Sequence, residues 1–236
     1  MFLSDYSFSK KETNFKVSLT SLITKSSGFT ALYLLSFIYF GPVVASIYQI
    51  KNGIGYQNIP KWLERFFKRK KQFALWGFVF ATVHAMLSMV ILNANYFGSW
   101  FEKSDEKSGK MTLNGELSTI SGVLAYLLLV LVASSSINSI EDSLNKSEWN
   151  FVDIKIGLSC LLIGVLHNFS MVYGQLDLIK ELTLNILMTK FVTILFPFTV
   201  IMLRISLNYG PLKRKIEKVK NGEIINKKME NDKINV

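Results

Sequence analysis

Very little in this sequence can bind a transition metal or form a covalent cross-link. Two histidines, His84 and His167, and one cysteine, Cys160, stand among 236 residues. A single cysteine excludes a disulfide within the chain and any site built from several thiolates. It reads as a small apolar packing residue. No Gly-x-Gly-x-x-Gly fingerprint is present, which excludes dinucleotide binding by the turn that uses it. Charge is missing over long stretches: no Asp, Glu, Lys or Arg lies between Lys25 and Lys51, Lys71 and Glu102, Glu116 and Glu141, or Lys155 and Asp177. The first 25 residues lack the apolar stretch of a cleavable signal, so the first apolar helix is expected to act as the insertion signal. No internal repeat and no low-complexity tract stands out.

What is present is apolar. Half of the residues are hydrophobic, 18 are Phe and 9 are Tyr. A bilayer core of about 30 Å needs roughly 20 apolar residues as helix, and each charge-free run is long enough. A fifth run is interrupted only by Lys190 and Arg204, near its ends, where long side chains snorkel to the headgroups. The expectation is an all-α membrane protein with five transmembrane helices over 28–50, 73–96, 117–138, 153–174 and 185–207. An outer segment 1–27 precedes this bundle and a basic tail 208–236 follows it. Segments 51–71, 139–155 and 204–236 carry 7, 2 and 9 of the 27 Lys and Arg residues. The positive-inside rule then puts the C-terminus in the cytosol and the N-terminus outside. The net charge of +10 reads as topology and contact with anionic lipid, and not as nucleic-acid binding.

The two histidines lie deep in this apolar frame. Each comes 14 residues after a polar edge position, Lys70 for His84 and Asp153 for His167. Fourteen residues of helix rise about 21 Å, so both imidazoles reach the same depth on parallel helices. An ionisable side chain inside a membrane is costly and points to function. Two at one depth, with no third, suit the axial ligands of a single flat cofactor, a bis-histidine haem. Hydrogen-bonded structural histidines in a non-redox membrane protein are the alternative. A zinc or copper site would need a third ligand that the sequence does not offer. Gly77, Gly157 and Gly164 lie before the histidines, where they either clear room for a macrocycle or serve helix packing.

Three further stretches stand out. Gly41-Pro42 and Pro197 are expected kinks. After Pro60, aromatics alternate with cations (Trp62, Phe66 and Phe67 against Lys61, Arg65 and Lys68), which reads as a short helix in the membrane interface. The cluster Ser134-Ser135-Ser136 ends the third helix, as caps or as a place for a phosphate or flavin edge.

Several of these stretches also resemble the transmembrane domain of the STEAP metalloreductases. The resemblance is carried by Tyr48-Gln49, Ile59–Glu64, Lys71-Gln72-Phe73, Phe78–Ala85, Ser136–Ser139, Asp142-Ser143-Leu144, Glu148-Trp149 and Lys155-Ile156-Gly157 leading to His167. It runs from about residue 30 to about residue 223. It implies electron transfer from NADPH to FAD, through one haem b, to ferric or cupric ions on the far face. His84 and His167 fall on the two axial haem ligands. Gln49, Lys70, Ser136 and Asp153 fall on the FAD site, and Leu129 falls where an apolar side chain packs between flavin and haem. The resemblance also implies a homotrimer.

The departures are specific. Lys70 stands where the family usually has Arg, and loses the fork that suits a pyrophosphate. Asp153 stands where the family usually has Gln and adds a negative charge. Lys146-Ser147 replace Trp-Arg, and the outer loop is shorter and lacks an arginine-rich stretch. The NADPH domain and the family's first transmembrane helix have no counterpart in these residues. The expected function is therefore oxidoreductase-like electron transfer, supplied by a separate cytosolic flavin or NADPH reductase or by a membrane quinol. A quinol-linked haem anchor for a partner protein is the rival redox reading.

Overall fold

The computed structural model describes residues 2–52, 59–92, 100–102, 109–173 and 184–220. The segment 53–58, most of the loop after residue 92, and the tail beyond Lys220 lie outside them. In chain order the helices are α1 (Phe2–Asn52), α2 (Lys61–Lys68), α3 (Lys70–Ile91), α4 (Leu113–Ser135), α5 (Asn138–Glu141), α6 (Lys146–Asn150), α7 (Gly157–Tyr173), α8 (Leu184–Asn208) and α9 (Gly210–Lys220). A π-helical segment, Phe151–Ile156, joins α6 to α7. Among the described residues there is no strand, only an isolated bridge between Phe101 and Met111.

Four stretches are long and apolar enough to cross a membrane: Leu19–Asn52, Lys70–Ile91, Leu113–Ser135 and Lys146–Met171. A bent pair, Thr193–Asn208 and Pro211–Val219 meeting at 70°, is long and apolar enough only when taken together, as a broken span or a re-entrant loop, which makes the crossings four or five. The chain is thus an all-α membrane bundle. Backbone polar groups in hydrocarbon must be satisfied within the element, which is why apolar runs of this length become helices. The main difference from expectation is α1. It is helical from Phe2, far ahead of residue 28, and that extension brings Thr24 into the site described below. The hydroxyls of Thr24, Ser27, Thr30 and Ser36 return to the helix's own carbonyls, as Thr24 Oγ1 to Thr20 O at 2.8 Å and Ser36 Oγ to Leu32 O at 2.6 Å. Satisfied in this way, they escape the penalty that a count of polar residues assigns them.

α1 is the centre of the bundle. α3, α7 and α8 pack around it, and Leu32, Ile38, Tyr39, Leu161, Val165, Val200 and Ile201 form the core. Burying each of the larger aliphatics is worth about 1.5–3 kcal/mol against water, less against lipid tails, so close packing matters more here. A second cluster, Val43, Leu207 and Ile216, ties α9 back to α1. The outer faces of α3 and α4 stay apolar and exposed, through Leu75, Trp76, Met86, Met89, Ile120, Leu127 and Leu131, as lipid contact requires. Cys160 donates to the Ala125 carbonyl at 3.3 Å, joining α7 to α4.

α2 lies under the basic end of the bundle. Leu63 is buried and Trp62 exposed, while Glu64 and Lys68 pair on the outer face at 2.8 Å. Phe66 points inward: a Cβ on Gly41 would stand 2.6 Å from its ring. Gly41 therefore serves as a landing place for α2. The three glycines near the histidines also serve packing. A Cβ on Gly77 would press on Leu35 at 3.1 Å, one on Gly164 would meet Leu32 at 3.4 Å, and one on Gly157 would collide with the Tyr39 hydroxyl. All three partners are on α1, so these glycines let α3 and α7 approach α1, and the macrocycle-clearing role does not hold.

Candidate functional site

α3 and α7 each present one imidazole to the middle of the bundle. The ring centroids of His84 and His167 stand 6.1 Å apart, with the planes inclined at 72°. Each ring is held by a backbone carbonyl on a neighbouring helix. His84 Nδ1 lies 2.7 Å from the carbonyl of Thr24 on α1, and His167 Nδ1 lies 2.7 Å from that of Ser118 on α4. A carbonyl only accepts, so each Nδ1 carries the proton, and in a neutral imidazole the lone pair is then on Nε2. A glycine sits beside each ring. A Cβ on Gly28 would lie 2.7 Å from His84 Nδ1, and one on Gly122 would lie 2.9 Å from His167 Nδ1.

This arrangement suits two ligands of one metal. Metal-bound histidines usually donate the other ring N–H to a carbonyl or carboxylate, which fixes tautomer and orientation. Two imidazoles bound from opposite sides at about 2 Å put their ring centres about 6.2 Å apart, allowing roughly 1.1 Å from nitrogen to ring centre. The observed 6.1 Å agrees. Among the described residues there is no group of three or more His, Cys, Asp or Glu that could hold a metal ion. One wall of the site is tied by a hydrogen bond from Tyr126 on α4 to Thr82 Oγ1 on α3 at 3.1 Å. The Phe78 and Tyr126 rings stack beside it at 6.4 Å.

The other residues singled out from the sequence lie toward the basic end. Leu129 is buried on α4. Gln49 is 1 % exposed near the end of α1, and neither its amide nitrogen nor its amide oxygen has a hydrogen-bond partner. Lys70 and Asp153 meet each other, Nζ to Oδ2 at 2.6 Å. Asp153 lies in the π-helical segment, a feature often found at functional positions. Its backbone carbonyl accepts from Tyr39 Oη at 2.9 Å. Ser136 caps α4, and the hydroxyls of Ser134, Ser135 and Ser136 donate to the carbonyls of Val130, Val132 and Val132. The capping role of this serine cluster is thus the one observed.

No protein-family model matches the sequence. Curated relatives do. Metalloreductase STEAP3 of Rattus norvegicus is 28% identical over 232 residues, covering 90% of this chain and 46% of the relative. Metalloreductase STEAP2 of Homo sapiens is 27% identical over 236 residues, with 92% and 46% covered. Metalloreductase STEAP2 of Mus musculus is 25% identical with the same coverage. The chain is a relative of the STEAP metalloreductases. It spans a little under half the length of these STEAP proteins, and its similarity to them runs through the whole bundle.

Sequence reasoning missed four residues that hold the imidazoles of this STEAP relative: Thr24, Gly28, Ser118 and Gly122. Hydropathy gave no sign of them, because two of the contacts are backbone carbonyls and the other two are side chains that do not exist. The sequence signal is a short match between 24–28 and 118–122.

Proposed function

We propose that this chain carries single electrons across a membrane through a haem b held by His84 and His167, as a ferric- or cupric-reductase-like unit. The observation that carries this reading is the 6.1 Å spacing of two rings whose Nδ1 atoms are both committed to carbonyls. When bound, a haem with two axial imidazoles supplies a six-coordinate one-electron carrier with no open position for oxygen. The chain's own part is to hold two neutral imidazoles at fixed separation inside an apolar bundle. The similarity to proteins named metalloreductases points to a metal ion as the acceptor. The basic segments favour the cytosol for the Lys70 end and the outer face, of a plasma membrane by default, for the acceptor. A homotrimer is what the family resemblance implies.

FAD at Gln49, Lys70, Ser136 and Asp153 is likewise implied by that resemblance. As they stand, these residues do not fit its pyrophosphate. The Lys70 cation is spent on Asp153, and Asp153 would repel a phosphate. A membrane quinol, or a separate cytosolic flavin or NADPH reductase, asks less of this end. The unpartnered amide of Gln49 can donate and accept hydrogen bonds to a neutral ring.

Haem-loaded protein in liposomes tests the proposal. A ferric chelate and a ferrous indicator are entrapped, and an impermeant reductant is added outside. Ferrous signal is expected with the wild-type chain and at background level with His84→Ala. Equal rates from loaded and empty vesicles would sink it.

A further inference from the structure

We infer that two matched pentapeptides, Thr24-Lys25-Ser26-Ser27-Gly28 on α1 and Ser118-Thr119-Ile120-Ser121-Gly122 on α4, are paired seats that orient the two histidines and set the electron affinity of what they bind. This rests on the haem reading above. Both segments follow one pattern: a hydroxyl residue, two intervening residues, then serine and glycine. Both perform the same three operations. The first residue's carbonyl accepts the imidazole Nδ1–H, at 2.7 Å in each case. The serine three residues later reaches that same carbonyl: Ser27 Oγ donates to Thr24 O at 2.9 Å, while Ser121 Oγ shares its proton between Ser118 O at 3.0 Å and Leu117 O at 2.7 Å. The glycine four residues later leaves the space that the ring occupies.

Each operation has a physical reason. A helical carbonyl is shielded by the turn above it, where the residue four positions on supplies its N–H. Only a glycine there lets a ring reach the carbonyl from the side. A carbonyl has two lone pairs, and at each seat the serine hydroxyl competes with the imidazole for them. That competition weakens the pull on Nδ1–H. The less the proton is pulled, the less imidazolate character the ring has, and the less it favours the ferric state. Outer partners of this kind tune a bound metal through the ligand they touch. The glycines thus position the histidines, and the serines adjust the midpoint potential. One seat lies on the partner helix of α3 and one on the partner helix of α7; the settings differ in degree, because Ser121 divides its proton with Leu117 O and the Ser118 hydroxyl also stands 3.4 Å from His167 Nδ1.

The test uses the full chain, purified in detergent and loaded with haem b. Gly28→Ala and Gly122→Ala should each displace an imidazole. The low-spin spectrum is expected to give way to a high-spin one, and the reduced protein should bind carbon monoxide where wild type does not. Ser27→Ala and Ser121→Ala should keep the low-spin spectrum and lower the midpoint potential. An about threefold change in the ferric-to-ferrous ratio, ~30 mV at 59 mV per tenfold for one electron, is expected for Ser27→Ala, and a smaller change of the same sign for Ser121→Ala. Ser27→Thr and Ser121→Thr, which retain the hydroxyl, should return the wild-type value. If the glycine variants do not fold, the serine variants decide alone. Haem-loaded wild type with serine variants of unmoved potential would overturn the seats and leave the haem reading standing. A wild type that takes up no haem would overturn both.

Discussion

Replacing His167 with alanine, or His84 with alanine, is expected to reduce haem retention by more than about tenfold and to remove the low-spin spectrum. The two rings stand 6.1 Å apart between centroids, a separation that suits two imidazoles on one metal. A bis-histidine site loses its six-coordinate state when either ligand goes. The bundle itself should survive, because its core is the separate cluster around Leu32, Leu161 and Ile201. A helical circular dichroism spectrum with no bound haem is therefore the expected pair of results. His167→Met is the informative companion: a mixed His/Met pair keeps the low-spin state and raises the potential. A normal spectrum and haem content in either alanine variant would contradict the ligand assignment.

The second large effect is expected from Asp153→Asn. In the wild type Asp153 neutralises Lys70 at 2.6 Å, with both side chains partly exposed. Unscreened, a pair at that distance would be worth several kcal/mol; partial exposure reduces this considerably. Asparagine removes the competing carboxylate and leaves Lys70 free for a phosphate. The backbone carbonyl that receives the Tyr39 hydroxyl is untouched, so the π-helical segment keeps its tie to α1. FAD affinity should rise about tenfold, equivalent to ~1.4 kcal/mol. Isothermal titration of the purified protein with FAD measures it. An unchanged affinity would mean that Lys70 takes no part in dinucleotide binding in this chain.

Much of the bundle can be read from where charge is absent, since a charge-free run of membrane length has few options other than a helix. That the two histidines come to one level is readable too, since each follows a polar edge position by 14 residues, and the rings do meet at 6.1 Å although the count from Asp153 begins in a π-helical turn. What could not be read depends on contacts between helices. Gly77, Gly157 and Gly164 share a helix with a histidine, but which neighbour fills the space beside each is a matter of packing, and α1 fills it. Lys70 and Asp153 looked like two separate ligand positions, whereas a cation and an anion brought to the same level pair with each other. The seats of the histidines were hidden because the polar stretch before residue 28 resembles a surface segment. It is the start of a helix whose carbonyl at Thr24 carries one imidazole. Its counterpart at Ser118 sits inside a run that hydropathy marks only as apolar.

The most direct measurement is the visible spectrum of the detergent-purified wild-type chain, loaded with haem and read before and after reduction, with a pyridine haemochrome assay for stoichiometry. The account predicts one haem b per chain, a sharp Soret band and resolved α and β bands on reduction. A folded, helical protein that stays colourless, or binds haem only in a high-spin form, would contradict it.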